Sequence, residues 1–209
     1  KPIKELINKN IENKTVLVTG AGGSIGSEIC RQVVKLNPKK LILFDISEFA
    51  LYELEKELIE VERQFPIFAI IGNVTNQSRL EKIISNNNVN TIYHAAAYKH
   101  VPMVEKNTIA GIRCNIFGTL ACINAAIINN VESFVFISTD KAVRPTNIMG
   151  ATKRFAELIL QSIYEREEDC NNKLTIRISM VRFGNVLGSS GSVVPLFRSQ
   201  IKKGGPITV

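Results

Sequence analysis

The stretch Thr15-Val16-Leu17-Val18-Thr19-Gly20-Ala21-Gly22-Gly23-Ser24-Ile25-Gly26 decides the fold. Its first five residues are apolar or β-branched and read as a short buried strand. Glycines at 20, 23 and 26 follow, and Ser24–Leu36 reads as a helix. A strand, a glycine turn and a helix in that order seat a pyrophosphate. Gly20 allows the tight turn, Gly23 lets the backbone approach the phosphates, and Gly26 lets the helix pack closely on the sheet. The helix N-terminus, with Ser24 and Ile25, stabilises the anion.

The rest of the chain repeats the alternation. Leu41–Asp45, Ile67–Ile71, Thr91–Ala95, Ser133–Ser138 and Leu174–Arg182 read as strands. Helices are expected at Ser47–Gln64, with Ser47 as N-cap, near Gln77–Ser85, at Thr108–Asn129, and from about Ile148 to Glu168. Strands separated by helices of this length mean crossover connections and a parallel sheet covered on both faces. The fold class is therefore α/β, a doubly wound parallel sheet. Residues 1–12 read as a lead-in, 13–184 as the cofactor domain, and 185–209 as the start of a substrate region. That last part holds a Gly/Ser loop, Gly188–Ser192, then Val193–Ile201. A chain that opens on Lys1 and closes on Ile207-Thr208-Val209 reads as a fragment of a longer protein, its substrate region truncated.

Composition narrows the partners. With 45% hydrophobic residues the chain can build a substantial core. The net charge of +7 comes from 26 basic against 19 acidic residues. The basic residues are scattered, which argues against nucleic acid and suits an anionic substrate or membrane surface. No apolar run approaching about 18 residues is apparent, so no membrane span is expected. Cys30, Cys114, Cys122 and Cys170 show no metal spacing, and with His94 and His100 no metal site is expected.

Asp45 closes the second strand, 19 residues after Gly26. A carboxylate there accepts from the adenosine ribose hydroxyls and repels a 2′-phosphate, which selects NAD over NADP. Asn73 and Val74, after the third strand, fall beside adenine. Ala95, Ala96 and Ala97, after the fourth, offer small residues for the cofactor to lie against. Asn115 is placed to brace that loop.

The run Ser138-Thr139-Asp140-Lys141 follows the fifth strand, with Met149 and Lys153 beyond it. Short-chain dehydrogenases place a Ser or Thr at the strand end, then a Tyr four residues before a Lys. The GxxGxxG spacing resembles theirs too. Here Lys153 is present and Met149 stands at the Tyr position, where a thioether takes no proton. Three segments, His94–Pro102, Ser138–Lys153 and Arg182–Pro195, resemble the bacterial nucleotide-sugar 4,6-dehydratases, an extended short-chain dehydrogenase branch with a Rossmann domain. The likeness is greatest to the large membrane-anchored type acting on UDP-N-acetylglucosamine, which has Met at the same place.

That resemblance implies a lyase of polysaccharide or glycan biosynthesis that uses NAD catalytically. It implies oxidation at the sugar C4, elimination of water across C5 and C6, and return of hydride to C6. It assigns Asp140 as acid and Lys141 as base, with Lys153 on the nicotinamide ribose. Thr139 would hydrogen-bond the C4 oxygen, with Asp140 taking the C4 proton through it or through a water. Tyr98 and Lys99 are the second possibility for that proton. Lys99, Thr139, Asn185, Ser192 and Val193 are expected at the substrate, a UDP-N-acetylhexosamine. Family members assemble through helices such as Thr108–Asn129 and Ile148–Glu168, so a homo-oligomer is expected. The parent protein is expected at the cytoplasmic face of the inner membrane. The competing readings are an NAD-dependent nucleotide-sugar epimerase and an inactive NAD-binding scaffold.

Overall fold

Every residue of β1 (Thr15–Thr19) is buried, which a strand achieves only when both sheet faces are covered. The structure, a computed structural model, describes residues 4–60, 65–169, 176–184, 186 and 193–207. β1 pairs in parallel with β2 (Lys40–Asp45) on one side and β4 (Thr91–His94) on the other. β3 (Ile67–Ile71) extends the sheet past β2, and β5 (Ser133–Thr139) and β6 (Arg177–Phe183) extend it past β4. The order is β3-β2-β1-β4-β5-β6, parallel throughout. The chain thus reverses direction across the sheet between β3 and β4. Such a reversal opens a crevice at the carboxyl ends of β1 and β4.

Alternate strand residues point to opposite faces, and two cores result. Val16, Val18, Leu41 and Leu43 pack with α2 (Ser24–Val34) and α3 (Glu48–Ile59) through Cys30, Val33, Leu51, Leu54 and Leu58. Ile11, the last residue of α1 (Lys4–Ile11), is buried in this core, so the lead-in contributes to it. On the other face Leu17, Phe44, Ile92, Phe134 and Phe136 pack with α4 (Gln77–Asn87), α7 (Gly118–Ile128) and α8 (Ile148–Asp169). Each such side chain contributes about 1.5–3 kcal/mol by leaving water.

Ser47 caps α3, accepting from the Ala50 N–H at 3.3 Å. Two departures from the sequence reading matter. A short helix, α5 (Val101–Lys106), starts at the β4 loop with Pro102 in its first turn. The expected helix over Thr108–Asn129 is instead α6 (Thr108–Ile112), a π-helical turn over Arg113–Phe117, and α7. Taken together Thr108–Ile128 has a hydropathy of 1.5 and is long and apolar enough to cross a membrane, which the sequence reading had not allowed. Half of it is buried within this domain, with Cys122, Ala125 and Ala126 against the sheet. The last strand begins at Arg177, and Leu174 and Thr175 lie outside the described residues. α9 (Val193–Lys202) ends the fold.

Candidate functional site

Backbone approach builds the glycine loop. Gly20 has φ +69, and a Cβ there would stand 2.5 Å from the Ala96 amide nitrogen. A Cβ on Gly26 would run into the Gly20 carbonyl oxygen. The loop between β1 and α2 is therefore pressed against the β4 loop on one side and its own helix on the other. The Gly23 N–H donates to the Gly20 carbonyl at 3.1 Å, and the Ser27 N–H to the Gly23 carbonyl at 2.9 Å. Ser24, Ile25 and Gly26 open α2, where the helix dipole is positive. The Ile25 side chain turns away from this loop, into an apolar groove with Ile29, Tyr93 and Phe183.

Asp45 is held by two backbone donors. Its Oδ2 accepts from the Gly22 N–H at 2.9 Å and its Oδ1 from the Ser47 N–H at 3.0 Å. A side chain on Gly22 would meet Ala50 and the Asp45 carboxylate. The carboxylate, the helix cap and the glycine loop form one rigid unit.

A cleft of about 1350 Å³ opens over this unit. Of the positions expected around a dinucleotide, Gly20, Gly23, Asp45, Asn73, Val74, Ala95, Ala96 and Ala97 line it. Asn73 Oδ1 accepts from the Thr75 N–H and hydroxyl at 3.0 and 2.9 Å. A contact from Asn73 to a base therefore falls to its amide N–H groups. The far wall comes from Lys106 at the end of α5 and from Thr108, Arg113 and Phe117 of the broken helix. Sequence reasoning missed these because it foresaw no helix at Lys106 and read an unbroken one from Thr108.

Asn115 does not reach the cleft. It is fully buried in the π-helical turn. Its Oδ1 accepts from the Tyr98 N–H at 2.8 Å, and its Nδ2 donates to the Tyr98 carbonyl at 3.0 Å and to Thr152 Oγ1 at 2.9 Å. It clamps the β4 loop to α8. Tyr98 itself is half exposed on the cleft wall, and Lys99 beside it is exposed.

The end of β5 carries the reactive-looking residues. After Thr139 the chain makes a 3-10 turn over Asp140–Ala142. Thr139 Oγ1 caps that turn, accepting from the Lys141 N–H at 3.3 Å and donating to Asp140 Oδ1 at 3.0 Å. Lys141 Nζ sits 3.3 Å from the same carboxylate oxygen. The turn thus brings Asp140 and Lys141 together, where a straight strand would part them. The Asp140 side chain is 58% exposed. The Thr139 hydroxyl, then the Lys141 ammonium, hold its carboxyl below the usual range. Asp140 is an anion here, not the buried acid with a raised pKa that its expected role suggested.

α8 supplies the other two. Asn147 caps it, accepting from the Gly150 N–H at 2.8 Å. Gly150 presses on the Lys141 carbonyl so closely that a Cβ has no room, which seats the turn on the helix. Met149 is 3% exposed, and its carbonyl accepts from the Thr152 hydroxyl at 2.7 Å. Lys153 is buried; its Nζ donates to the Ile137 carbonyl at 2.6 Å and lies 4.1 Å from the Phe136 ring centroid. Burial lowers its pKa to about 8, against the opposing pull of Cys114 and Glu157.

Glu157 was not foreseen. It is 1% exposed, accepting from Ser138 Oγ at 2.6 Å, from Arg182 Nε and Nη2 at 2.8 and 2.7 Å, and from Arg154 Nη1 at 3.1 Å. Burial pushes its carboxyl up, but Arg182, Ser138 and Arg154 together hold it at about 2. This clasp ties the ends of β5 and β6 together. Gly184, just past β6, faces the Asp140 carboxylate. Asn185 and Ser192 lie outside the described residues, and Val193 opens α9.

The sequence matches the polysaccharide biosynthesis protein family over residues 16–209. It is 49% identical over 205 residues to the capsular polysaccharide biosynthesis protein CapD of Staphylococcus aureus, covering 98% of this chain and 33% of that protein. It is 35% identical over 199 residues to a UDP-N-acetylglucosamine 4,6-dehydratase (inverting) of Campylobacter jejuni, covering 93% of this chain and 57% of that one. It is 33% identical over 201 residues to a UDP-glucose 4-epimerase of Rickettsia rickettsii, covering 94% and 56%. Among solved structures, Pen from Bacillus thuringiensis superposes with a TM-score of 0.85 at 38% identity, covering 96% of this chain and 61% of that one. The chain spans about a third of CapD and somewhat over half of the other two relatives. With residues 16–209 inside the match, the chain belongs to the polysaccharide biosynthesis protein family.

Proposed function

We propose that this chain is the NAD-binding and catalytic part of a nucleotide-sugar 4,6-dehydratase acting on a UDP-N-acetylhexosamine, UDP-N-acetylglucosamine foremost. The observation that carries the reading is the capped turn at the end of β5, which pairs Asp140 with Lys141. The cofactor fits the residues present. Gly20 and Gly26 leave no room for a Cβ beneath the loop, and the Asp45 carboxylate stands at the cleft wall. NAD, when bound there, supplies the hydride acceptor that oxidation at a sugar carbon requires. Asp45, Gly20, Gly23 and the first turn of α2 would hold its adenosine and pyrophosphate.

The chain's own groups supply the proton transfers. Asp140 starts as a carboxylate and takes the C4 hydroxyl proton through Thr139, to which it is already hydrogen-bonded. It then holds that proton as the acid that protonates the departing C6 hydroxyl. Lys141 must first give up its ammonium proton; as the free amine it removes the C5 proton and, when hydride returns to C6, gives one back to C5. Each proton is then accounted for without a tyrosine, which is why Met149 is tolerated. Lys153 adds positive potential beneath the site. Residues 185–209, with Asn185, Ser192 and Val193, begin the region that receives the nucleotide sugar; Lys99 flanks it from the β4 loop.

The test is turnover of UDP-N-acetylglucosamine by the full-length protein. Asp140→Asn and Lys141→Met are each expected to lower it at least about 100-fold with NADH binding unchanged. Turnover near wild type in both variants sinks the elimination chemistry. An epimerase reading draws support from the Rickettsia relative. It requires oxidation at C4, for which Asp140 would serve equally, but no loss of water, and so leaves Lys141 without work. Two further parts of the proposal concern the parent protein. One is a membrane anchor elsewhere in its sequence, holding this domain at the cytoplasmic face. The other is self-association through the helices at 108–129 and 148–168, which exposed Phe117, Ile128, Phe155 and Leu158 support.

A further inference from the structure

A chain of buried hydrogen bonds runs beneath the cleft from the glycine loop to α8, and His94 stands at its centre. Thr19, the last residue before Gly20, contacts His94 Nδ1 at 2.7 Å through its hydroxyl. His94 Nε2 lies 3.1 Å from Thr119 Oγ1. The Thr119 hydroxyl donates to the Asn115 carbonyl at 2.7 Å. Asn115 Nδ2 donates to Thr152 Oγ1 at 2.9 Å, and Thr152 donates to the Met149 carbonyl at 2.7 Å. Thr19, His94, Asn115, Thr119 and Thr152 are all buried.

The proton positions follow by elimination. Thr119 spends its one hydrogen on the Asn115 carbonyl, so toward His94 it can only accept. His94 Nε2 must therefore carry a hydrogen. Nδ1 must then accept, and the Thr19 hydroxyl donates to it. The imidazole is neutral, because burial, then the Lys153 charge, lower its pKa to about 3. The ring also stacks on Phe136 at 5.9 Å between centroids, and Lys153 lies over that same phenyl ring. His94 is thus joined to the glycine loop through Thr19, to the Tyr98 clamp through Thr119 and Asn115, and to the Met149–Lys153 helix by two routes.

We infer that His94 is a positioning residue, locked as its Nε2–H tautomer, which sets the glycine loop, the β4 loop and the start of α8 in register for cofactor binding. This rests on the cofactor half of the proposed function and on none of the sugar chemistry. A packing role alone needs only the ring. A positioning role needs the direction of both hydrogen bonds.

¹⁵N-imidazole spectra of the full-length protein report the tautomer, the His94 signal being the one that His94→Gln removes. At neutral pH His94 is expected to show a protonated Nε2 and an unprotonated Nδ1. NADH fluorescence titration supplies the second readout. His94→Phe, which keeps an aromatic ring but neither bond, is expected to raise the NADH Kd about tenfold. Thr119→Val, isosteric and unable to accept, is expected to do the same. His94→Gln, able to donate to Thr119, is expected to recover part of the loss. An Nδ1–H tautomer overturns the inference. So does an NADH Kd within about twofold of wild type in Thr119→Val together with whichever His94 variants fold. Should His94→Phe not fold, Thr119→Val and His94→Gln decide the matter. If the wild-type protein binds no NADH, the cofactor reading fails and takes the positioning role with it, whatever tautomer the spectrum reports.

Discussion

The Gly22 amide donates to the Asp45 carboxylate at 2.9 Å, joining the glycine loop after β1 to the end of β2. The same carboxylate accepts from Ser47 at the start of α3. Its charge is thereby fixed at the cleft wall where an adenosine ribose would lie. Asp45→Ala is expected to raise the NADH Kd about tenfold, the worth of one hydrogen bond to a charged group. NADPH should bind no worse than before, because the repulsion of a 2′-phosphate is gone. Paired fluorescence titrations with the two nucleotides check this. An unchanged NADH Kd would remove Asp45 from the site.

Gly26 has no room for a methyl group against the Gly20 carbonyl. Backbone cannot swing aside as a flexible side chain does. Gly26→Ala is expected to cost about 1–3 kcal/mol of stability through overpacking and to abolish NADH binding. Thermal unfolding and NADH titration of the variant measure the two effects. Normal binding in the alanine variant would mean the loop can relax, and the tight approach has no functional consequence.

Two buried groups set the response to acid. His94 is held neutral, its pKa depressed from 6.5 to about 3. The unfolded chain therefore binds a proton that the folded one refuses, and stability falls as pH drops from 6.5 towards 3. Glu157, depressed from 4.5 to about 2, stabilises the fold above pH 4.5 and loses that contribution as pH falls towards 2. Between pH 6.5 and 4.5 His94 acts before Glu157 and contributes a slope of up to about 1.4 kcal/mol per pH unit. Urea unfolding at a series of pH values checks this. His94→Gln is expected to flatten that part of the curve and leave the steeper loss below pH 4.5. An unaltered slope in the variant would contradict the burial argument.

Lys153 makes the alkaline prediction. Its pKa of about 8 means that the ammonium beneath the site is lost as pH rises through that value. If its charge is what serves the reaction, turnover falls above about pH 8. Lys153→Met is expected to lack measurable turnover throughout. A rate that instead rises through pH 8 would make the neutral amine the working form, and Lys153 a base.

How far the sequence reveals this protein varies from element to element. Thr15–Thr19 and Ile67–Ile71 were legible to the residue, because each shows as an unbroken apolar or β-branched run between turn residues, although only the first is buried throughout. The pairing of Met149 with Lys153 was legible from helical spacing. What Lys153 touches was not, since Ile137 and Phe136 are brought to it by the β5–α8 crossover. Asp140 and Lys141 stood out as neighbours, yet their meeting depends on a turn capped by Thr139 that leaves no pattern in the letters. Asn115 showed as one polar residue in an apolar run. Its partners Tyr98 and Thr152 lie far off in sequence, and the π-helical turn that aims it has no periodicity signal of its own. His94 and Glu157 escaped for the same reason: a buried polar residue is understood through its partners, and those are tertiary.

The most direct test of the central claim follows the product formed from UDP-N-acetylglucosamine in D₂O. The full-length protein with NAD is incubated with the sugar nucleotide, and the product is examined by mass spectrometry and NMR. A product lighter by one water, with a 4-keto-6-deoxy sugar and one solvent deuteron at C5, is what the Asp140–Lys141 account predicts. An epimer that has lost no water, or a protein that binds NADH but converts nothing, would contradict it.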